Sequence, residues 1–443
     1  MNLLLLNELL AERKYLTLKE ELLKCHVVDI AEFIDSLDAR STLLVFRLLP
    51  KDIAVDVFAE LLPESQTELS QIVNENELYD ILKELNFDDK IDFLEELPAN
   101  VVKRILLHST ETERKLINQF LNYPEDSAGS IMTIEFVDLK KEMTVAEALE
   151  KVRKIALDKE TIYTCYVTDS YRHLEGVLSL RDLVIAPPEK KIGEIMRSEV
   201  ISANTHDDKV IIADRIKKYD LLAIPITDNE NRLVGIVTVD DVVDVIEEEN
   251  TEDFHKMATV GSIETSLLNV RPLYMIKRRS PWLLLLILVN ILSGMGIAHF
   301  ENTIQTVIVL VFFLPLLIDS AGNAGAQSAT LIIRAMAVGD IKIDNWFKLF
   351  QKELIVSVLL GLIMGCAVLF LGYYRGGIEI AVVVSLAMIS VVLFGSIVGM
   401  CLPFIFSIFK IDPATASGPL VTSIADIAGV LIYFSIATWY LNI

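Results

Sequence analysis

The stretch TSIADIAGVLIYF, residues 422–434, carries a single charged side chain, Asp426, in a run that is otherwise uncharged. It belongs to an apolar segment over 414–440, long enough to cross a hydrocarbon core about 30 Å thick as a helix. At 1.5 Å per residue, Asp426 lies about 20 Å from Pro413, near the bilayer midplane. Because a charge there is costly, such residues usually face a pathway or a partner. The stretch predicts an ion pathway; the alternative is a buried Asp that is protonated or caps a broken helix.

Four other segments are apolar enough to span a membrane, near 281–299, 303–325, 353–373 and 380–402. Basic residues flank alternate ends of the five segments, and these are Lys277, Arg278, Arg279, Arg334, Lys342, Lys348, Lys352 and Lys410. By the positive-inside rule these ends are cytoplasmic, with Arg375 as the exception. We therefore expect a multi-pass protein of the cell (inner) membrane, with an all-α domain of five helices over 276–443, cytoplasmic N-terminal domains and the C-terminus outside.

The second segment contains PLLIDSAGNAGAQSAT, residues 315–330. Pro315 and the glycines should weaken a helix here, and a turn would then satisfy Asp319. Small residues favour close helix packing, whereas Asn323 and Gln327 place oxygen ligands at membrane depth and favour a pore. Such hard oxygen donors suit magnesium, calcium or sodium. The pathway is therefore predicted to pass cations.

The charge is divided unevenly along the chain. Residues 1–270 hold 54 acidic and 30 basic side chains, whereas residues 271–443 hold 8 and 10. An acidic surface repels nucleic acid and attracts cations, so nucleic acid is excluded as a partner. The four cysteines form no CxxC pair, and the sequence has no HExxH motif, P-loop or nucleophile–base pair. We do not expect an enzyme.

Residues 1–130 repeat a Leu-Pro motif, which is followed each time by about twelve residues with an amphipathic pattern, as in LLPKDIAVDVFAEL and LLPESQTELSQIV. Repeats of this kind stack into an α-helical superhelix. We predict an acidic helical-repeat N domain that serves as a scaffold.

Two similar units follow, over 131–190 and 191–253, in which GVLSLRDL and GIVTVDDV align without gaps. They resemble a tandem pair of CBS modules, α/β sensor units that often bind adenine nucleotides. The resemblance implies a ribose site at Ser179 with Asp182 and at Thr238 with Asp241. Alternatively, both Asp residues only start helices. A connecting (plug) helix over 254–275 should then link sensor and pore, or lie on the bilayer.

The whole chain resembles the MgtE magnesium channels and transporters, through GNAGAQ in the second segment, DPATASGP and DIAG in the fifth, and the modules before them. The resemblance implies a homodimer with Mg²⁺ at Asp426, a second ion-binding carboxylate at Asp412, and closure by cytoplasmic Mg²⁺. The regulatory carboxylates it implies are Asp56, Asp88, Asp92, Asp220, Asp241, Asp244, Glu249 and Asp253. Two places depart from the family pattern: Lys209 and Val210 replace expected carboxylates, and Gly418 replaces an Asn.

A dimer also follows from physics, because Mg²⁺ keeps most of its waters and a twofold axis would bring two copies of Asp426 to one pathway. Two other functions stay open. One is a proton- or sodium-coupled divalent-cation carrier, whose transport would depend on the pH gradient. The other is a membrane-tethered nucleotide sensor, which would bind ATP and carry no ion flux. ATP is also the regulatory ligand expected of the CBS pair.

Overall fold

The computed structural model of the protein describes residues 3–261, 263 and 270–443. These residues form two compact units, residues 1–247 and 248–443. The first holds the acidic helices and the CBS modules, and the second holds the membrane helices. The predicted fold class, a helical superhelix followed by tandem CBS modules and a helical membrane domain, is confirmed.

Short helices make up the N domain, each about two turns long. They are α1 (Leu3–Ala11), α2 (Tyr15–Leu22), α3 (Val27–Asp35), α4 (Ala39–Phe46), α5 (Lys51–Ala59), α6 (Pro63–Ile72), α7 (Glu75–Glu84), α8 (Phe87–Glu95), α9 (Ala99–Leu106) and α10 (Glu111–Phe120). Pro50, Pro63 and Pro98 stand at helix starts, where a missing N–H costs nothing. Phe58 and Phe93 pack edge to face in the core, with centroids 5.1 Å apart.

The two CBS modules share one topology. The first contains β1 (Val137–Leu139), α11 (Val145–Ile155), β2 (Thr164–Thr168), β3 (Leu174–Ser179), α12 (Leu180–Ile185) and α13 (Ile192–Ile195). The second contains β4 (Ala203–Asn204), α14 (Lys209–Tyr219), β5 (Ala223–Thr227), β6 (Leu233–Thr238) and α15 (Val239–Met257). In each sheet the first two strands are parallel and the last two antiparallel. Tyr166 and Ile236 belong to one buried cluster between the modules.

The predicted helix over 254–275 is only partly correct. Residues 254–257 are the last turn of α15, and the helix ends before Thr259, whose φ is +57°. A β-branched residue at positive φ is a strained position that a continuous helix does not contain. Residues 262 and 264–269 lie outside the described part of the chain, and the next helix begins at Pro272.

The second unit contains four helices long and apolar enough to cross a membrane. They belong to α16 (Pro272–His299), α18 (Leu314–Ala337), α19 (Trp346–Ile408) and α20 (Gly418–Leu441), with the short α17 (Glu301–Thr306) before α18. The predicted second segment, 303–325, is wrong at both ends, because a 3₁₀ turn over Ile308–Phe313 separates α17 from α18.

Helix α19 is a hairpin of two membrane-length helices. Gly377 has φ +78° and ψ −173°, which no helix accommodates and which glycine adopts without strain. Gly372 packs on Ala381 and Gly361 packs on Ile389, so the two arms run antiparallel. The Ser385 hydroxyl donates across the arms to the carbonyl of Gly365 at 3.0 Å. The predicted segments 353–373 and 380–402 are therefore the two arms of α19.

The expected weakening of the second membrane helix does not occur. Helix α18 is continuous, because Pro315 lies in its first turn and the glycines serve packing. A Cβ on Gly325 would lie 2.7 Å from the carbonyl oxygen of Gly395, and one on Gly395 would collide with the carbonyl of Ala321. These small residues let α18 and the second arm of α19 approach backbone to backbone.

Candidate metal sites and ion pathway

Helix α8 turns carboxylates toward the inside of the first unit. Phe87, Ile91 and Leu94 bury its apolar side, and Asp88 shares this burial, with only 8% of its surface exposed. Oδ1 of Asp88 has no hydrogen-bond partner among the described residues. A buried carboxylate oxygen without a partner is costly, and it marks a position that a cation can stabilise.

Asp241 faces this helix from the start of α15. The Thr238 hydroxyl donates to its Oδ2 at 2.5 Å. Burial raises the pKa of Asp241 to about 7, and the charges of Asp88 and Asp240 act in the same direction. Burial and the charge of Asp89 likewise raise the pKa of Asp88 to about 7. The two predicted residues therefore lie in one electrostatic cluster.

Further carboxylates belong to this cluster. Burial, followed by the charges of Asp241, Glu60 and Glu135, raises the pKa of Asp89 to about 6. Burial and then the charges of Asp88 and Asp241 raise the pKa of Glu160 to about 8. Sequence reasoning missed Asp89, Glu60, Glu135 and Glu160. Of these, only Asp89 could have been found from the sequence, because it lies between the predicted residues Asp88 and Asp92 in FDDKID.

Asp92 lies at the rim of the cluster. It stands one turn after Asp88 on α8, and its side chain is exposed. Within the described residues, no three acidic, histidine or cysteine side chains converge closely enough to form a ready-made metal site. A cation that keeps several of its waters does not need such convergence, and Mg²⁺ is the cation that behaves so.

Two other predicted residues occupy exposed positions. Asp56 lies on α5, one turn before Glu60, whose charge reaches Asp89. Asp220 ends α14 with a left-handed backbone, φ +51°. Among the departures from the family pattern, Lys209 forms an ion pair with Asp126 at 3.2 Å. A fixed ammonium thus stands where the family pattern predicted a carboxylate.

The two hydroxyl–Asp pairs of the CBS modules both lie at helix starts, and the first pair forms a capping box. The Ser179 hydroxyl donates to Asp182 at 2.7 Å, and the Asp182 N–H donates back to Ser179 Oγ at 3.1 Å. In the second module, the Thr238 hydroxyl and the Thr238 N–H both donate to Oδ2 of Asp241, at 2.5 and 3.4 Å. Their local role is thus helix initiation, which is the alternative interpretation, and a ribose would have to compete with these bonds.

The end of α15 forms a charged contact within the second unit. The Lys256 ammonium lies 2.6 Å from Oδ2 of Asp412 and 2.9 Å from Oε1 of Glu252. Burial lowers the pKa of Lys256, but these two hydrogen bonds outweigh it and raise the pKa overall. Burial and the charge of Asp412 raise the pKa of Asp253. Asp412, predicted to bind an ion, is therefore already paired with a cation of the chain.

Residues Asp244 and Glu249 also lie on α15, as the helical spacing predicted. Asp244 is exposed and Glu249 is partly buried. The structure thus separates the predicted carboxylates into a cluster around Asp88 and Asp241 and a second group at the end of α15.

Exposed polar side chains line one face of α18 inside the membrane domain. Asp319, Asn323, Gln327 and Thr330 follow one another at spacings of three and four residues, and all are exposed. Asn323 donates to Asp319 at 3.0 Å, so a helical neighbour replaces the predicted turn. Polar side chains cannot face hydrocarbon without large cost, so this face requires water or protein against it.

Asp426 lies on α20, the neighbour of this face. Gly322 approaches Thr422 and Gly429 approaches Ile318, so the two helices cross between these points. Asp319 is close enough for its charge to act on Asp426, which is partly buried. The helix is continuous through Asp426, so the alternative that this residue caps a helix break is wrong. Gly418 begins α20, and a Cβ there would lie 3.7 Å from Ala326.

Membrane helices with a carboxylate and amide face, joined to acidic helical and CBS modules, are the arrangement expected of a divalent cation transporter. Profiles of known families agree: one described as a divalent cation transporter matches residues 314–436, the MgtE intracellular N domain matches 25–126, and the CBS domain matches 128–189 and 192–248. The chain belongs to the MgtE family of magnesium transporters.

Relatives of full length support this assignment. The magnesium transporter MgtE of Thermus thermophilus is 39% identical over 98% of this chain and 97% of its own, and that of Bacillus subtilis is 32% identical over 94% of each. A crystal structure of the cytosolic domain of the Mg²⁺ channel MgtE in complex with ATP covers 54% of this chain and 98% of its own, at 39% identity and a TM-score of 0.52.

Proposed function

We propose that this protein imports Mg²⁺ through a pore shared by two copies of the chain, and that cytoplasmic Mg²⁺ closes this pore. The observation that carries the proposal is the polar face of α18 beside Asp426. Hard oxygen donors in this arrangement attract a divalent cation without stripping its waters. Asp426 is its midplane ligand, while Asn323 and Gln327 line the approach.

A second copy of the chain explains why this face is polar. In one chain Asp319, Asn323 and Gln327 are exposed, and lipid against them would be strongly unfavourable. An isologous contact around a twofold axis turns two such faces toward each other and encloses a water-filled path. Basic residues at alternate helix ends support cytoplasmic N-terminal domains and a C-terminus outside.

The acidic cluster supplies the regulation. Two carboxylates 4 Å apart at an effective dielectric near 20 repel by about 4 kcal/mol, so the compact state around Asp88 and Asp241 is disfavoured without a cation. Mg²⁺ that binds only the compact state stabilises it in proportion to the logarithm of its concentration. Helix α15 holds Asp241 in its first turn and Lys256, which contacts Asp412, in its last turn, so this helix is the element that carries the signal in the proposed mechanism.

The test is divalent flux into liposomes that hold the purified chain. Asp426→Asn should abolish Mg²⁺ flux, because the midplane charge is lost, while the protein stays folded and inserted. Asp340→Asn, which removes an exposed carboxylate outside the membrane helices, is the matched control and should conduct normally. Normal flux in Asp426→Asn would overturn the pore assignment, and flux that requires a pH gradient would favour the coupled carrier.

Adenine nucleotide is a second proposed ligand, at Ser179 with Asp182 and at Thr238 with Asp241. It is supported by the CBS pair and by the related cytosolic domain, which is in complex with ATP. Calorimetry with millimolar ATP checks it, and Asp182→Ala should weaken any binding at the first module.

A further inference from the structure

We propose that Glu160, on the first CBS module, is a ligand of the regulatory cation, so that one ion ties the N domain to both CBS modules. This inference rests on the proposed regulation by Mg²⁺ and adds to it. The resemblance to the family assigned regulatory carboxylates to the N domain, the second CBS module and the helix after it, and none to the first module.

The position of Glu160 is fixed by Glu135. The Glu160 N–H donates to the backbone carbonyl of Glu135 at 2.9 Å. The carboxylate of Glu135 accepts a hydrogen bond from the Phe87 N–H at the start of α8. Asp88 is the next residue after Phe87, so Glu135 holds the Glu160 backbone and the start of α8 at the same time.

The side chain of Glu160 points into the cluster. Its Oε2 is buried without a hydrogen-bond partner among the described residues, as is Oδ1 of Asp88. The charges that act most strongly on Glu160 are those of Asp88 and Asp241, one from the N domain and one from the second CBS module. An unpartnered buried oxygen on each of two modules is the arrangement expected where an absent partner is a cation.

Glu135 itself is different, although it lies beside Glu160. Burial raises the pKa of Glu135, but the charges of Lys159 and Lys90 and the hydrogen bond from the Phe87 N–H act against this rise. Its charge is therefore partly compensated by the chain, so we assign it a positioning role. A cation with octahedral coordination takes one or two carboxylates and keeps waters, so Glu160 reaches it directly or through a bound water.

The experiment compares Glu160→Gln with Glu189→Gln in the full chain. Glu189 is an exposed carboxylate of the same module and controls for the loss of one charge. The readout is the Mg²⁺ concentration that protects the connection over 121–135 from protease, together with Mn²⁺ binding followed by electron paramagnetic resonance. Glu160→Gln should raise the protecting Mg²⁺ concentration roughly tenfold, which is the low end of the loss in metal affinity expected when a supporting group is removed. Glu189→Gln should leave the protecting concentration unchanged.

The outcomes separate this inference from the function it rests on. An unchanged protecting concentration in Glu160→Gln, with a large increase in Asp88→Asn, would overturn the role of Glu160 and leave regulation intact. No change in either variant would refute regulation at this cluster. A purely structural role for Glu160 would alter thermal stability equally with and without Mg²⁺, whereas a ligand role requires a smaller Mg²⁺-dependent rise in Tm.

Discussion

Two groups of carboxylates in this protein differ in whether a cation of the chain lies beside them. Around Asp88 and Asp241, the charges that most strongly affect each carboxylate are those of other carboxylates, and the pKa values rise to about 7. At Asp412, the ammonium of Lys256 lies 2.6 Å away. The carboxylates of the first group can be stabilised by cations or protons from solution, whereas Asp412 already has an ammonium of the chain beside it. Under the proposed regulation by Mg²⁺, we therefore expect the sensitivity to lie in the first group.

The largest expected effect comes from removing charge at the first group. Asp88→Asn together with Asp241→Asn removes the repulsion that Mg²⁺ must overcome and also removes ligands for it. Closure of the Mg²⁺ flux in liposomes should then require a more than tenfold higher Mg²⁺ concentration at the cytoplasmic face, because two ligands are lost.

The control for this double variant is Asp52→Asn with Glu68→Gln, two exposed carboxylates of the N domain. This control should close like the wild type if the buried cluster is the sensor. Loss of closure in the control as well would mean that total acidity, rather than the cluster, sets Mg²⁺ sensitivity. The difference between the two carboxylate groups would then not explain that sensitivity.

The fold was largely predictable, because each module has a strong local pattern. Helical repeats with Leu-Pro starts, the paired GVLSLRDL and GIVTVDDV units, and four of the five apolar segments match elements of the structure, while the segment 303–325 is displaced from α18. The continuity of α18 was not predictable from the sequence. Its glycine content predicts a weakened helix, whereas the packing of Gly325 against Gly395 supports a continuous one. Tertiary packing outweighs local propensity there.

The site was predictable only in part. Asp88 and Asp241 follow from the resemblance, and the structure places them in one electrostatic cluster. Glu160 and Glu60 lie far from these residues in sequence and in no motif, so only the fold reveals them. The pairing of Lys256 with Asp412 spans 156 residues, and no local pattern indicates it.

Acid should mimic part of the effect of Mg²⁺ on the first group. The pKa values of Asp88 and Asp241 are raised in the compact state, so that state is penalised increasingly from about pH 4 to about pH 7 and fully above. Lowering the pH from 8 to 6 without Mg²⁺ should therefore favour compaction, by up to roughly tenfold per pH unit for each proton taken up.

Protease cleavage of the 121–135 connection at pH 8, 7 and 6 measures this effect. Cleavage in metal-free wild type should slow as the pH falls, whereas Asp88→Asn with Asp241→Asn should respond much less. Cleavage that slows equally in both proteins would assign the response to other groups.

The smallest effect is expected at the second group. Lys256→Met removes the ammonium and leaves Glu252, Asp253 and Asp412 to repel one another, so closure should become weaker at low Mg²⁺. A partly exposed ion pair contributes at most about 1 kcal/mol, which is roughly a fivefold change in the open-to-closed ratio. High Mg²⁺ should restore closure, because the freed carboxylates can then take a cation from solution. Flux at low and high Mg²⁺ measures both effects, and Lys352→Met, which removes an exposed charge of α19, should change neither. If Lys256→Met closes like the wild type at every Mg²⁺ concentration, the built-in cation has no role in gating.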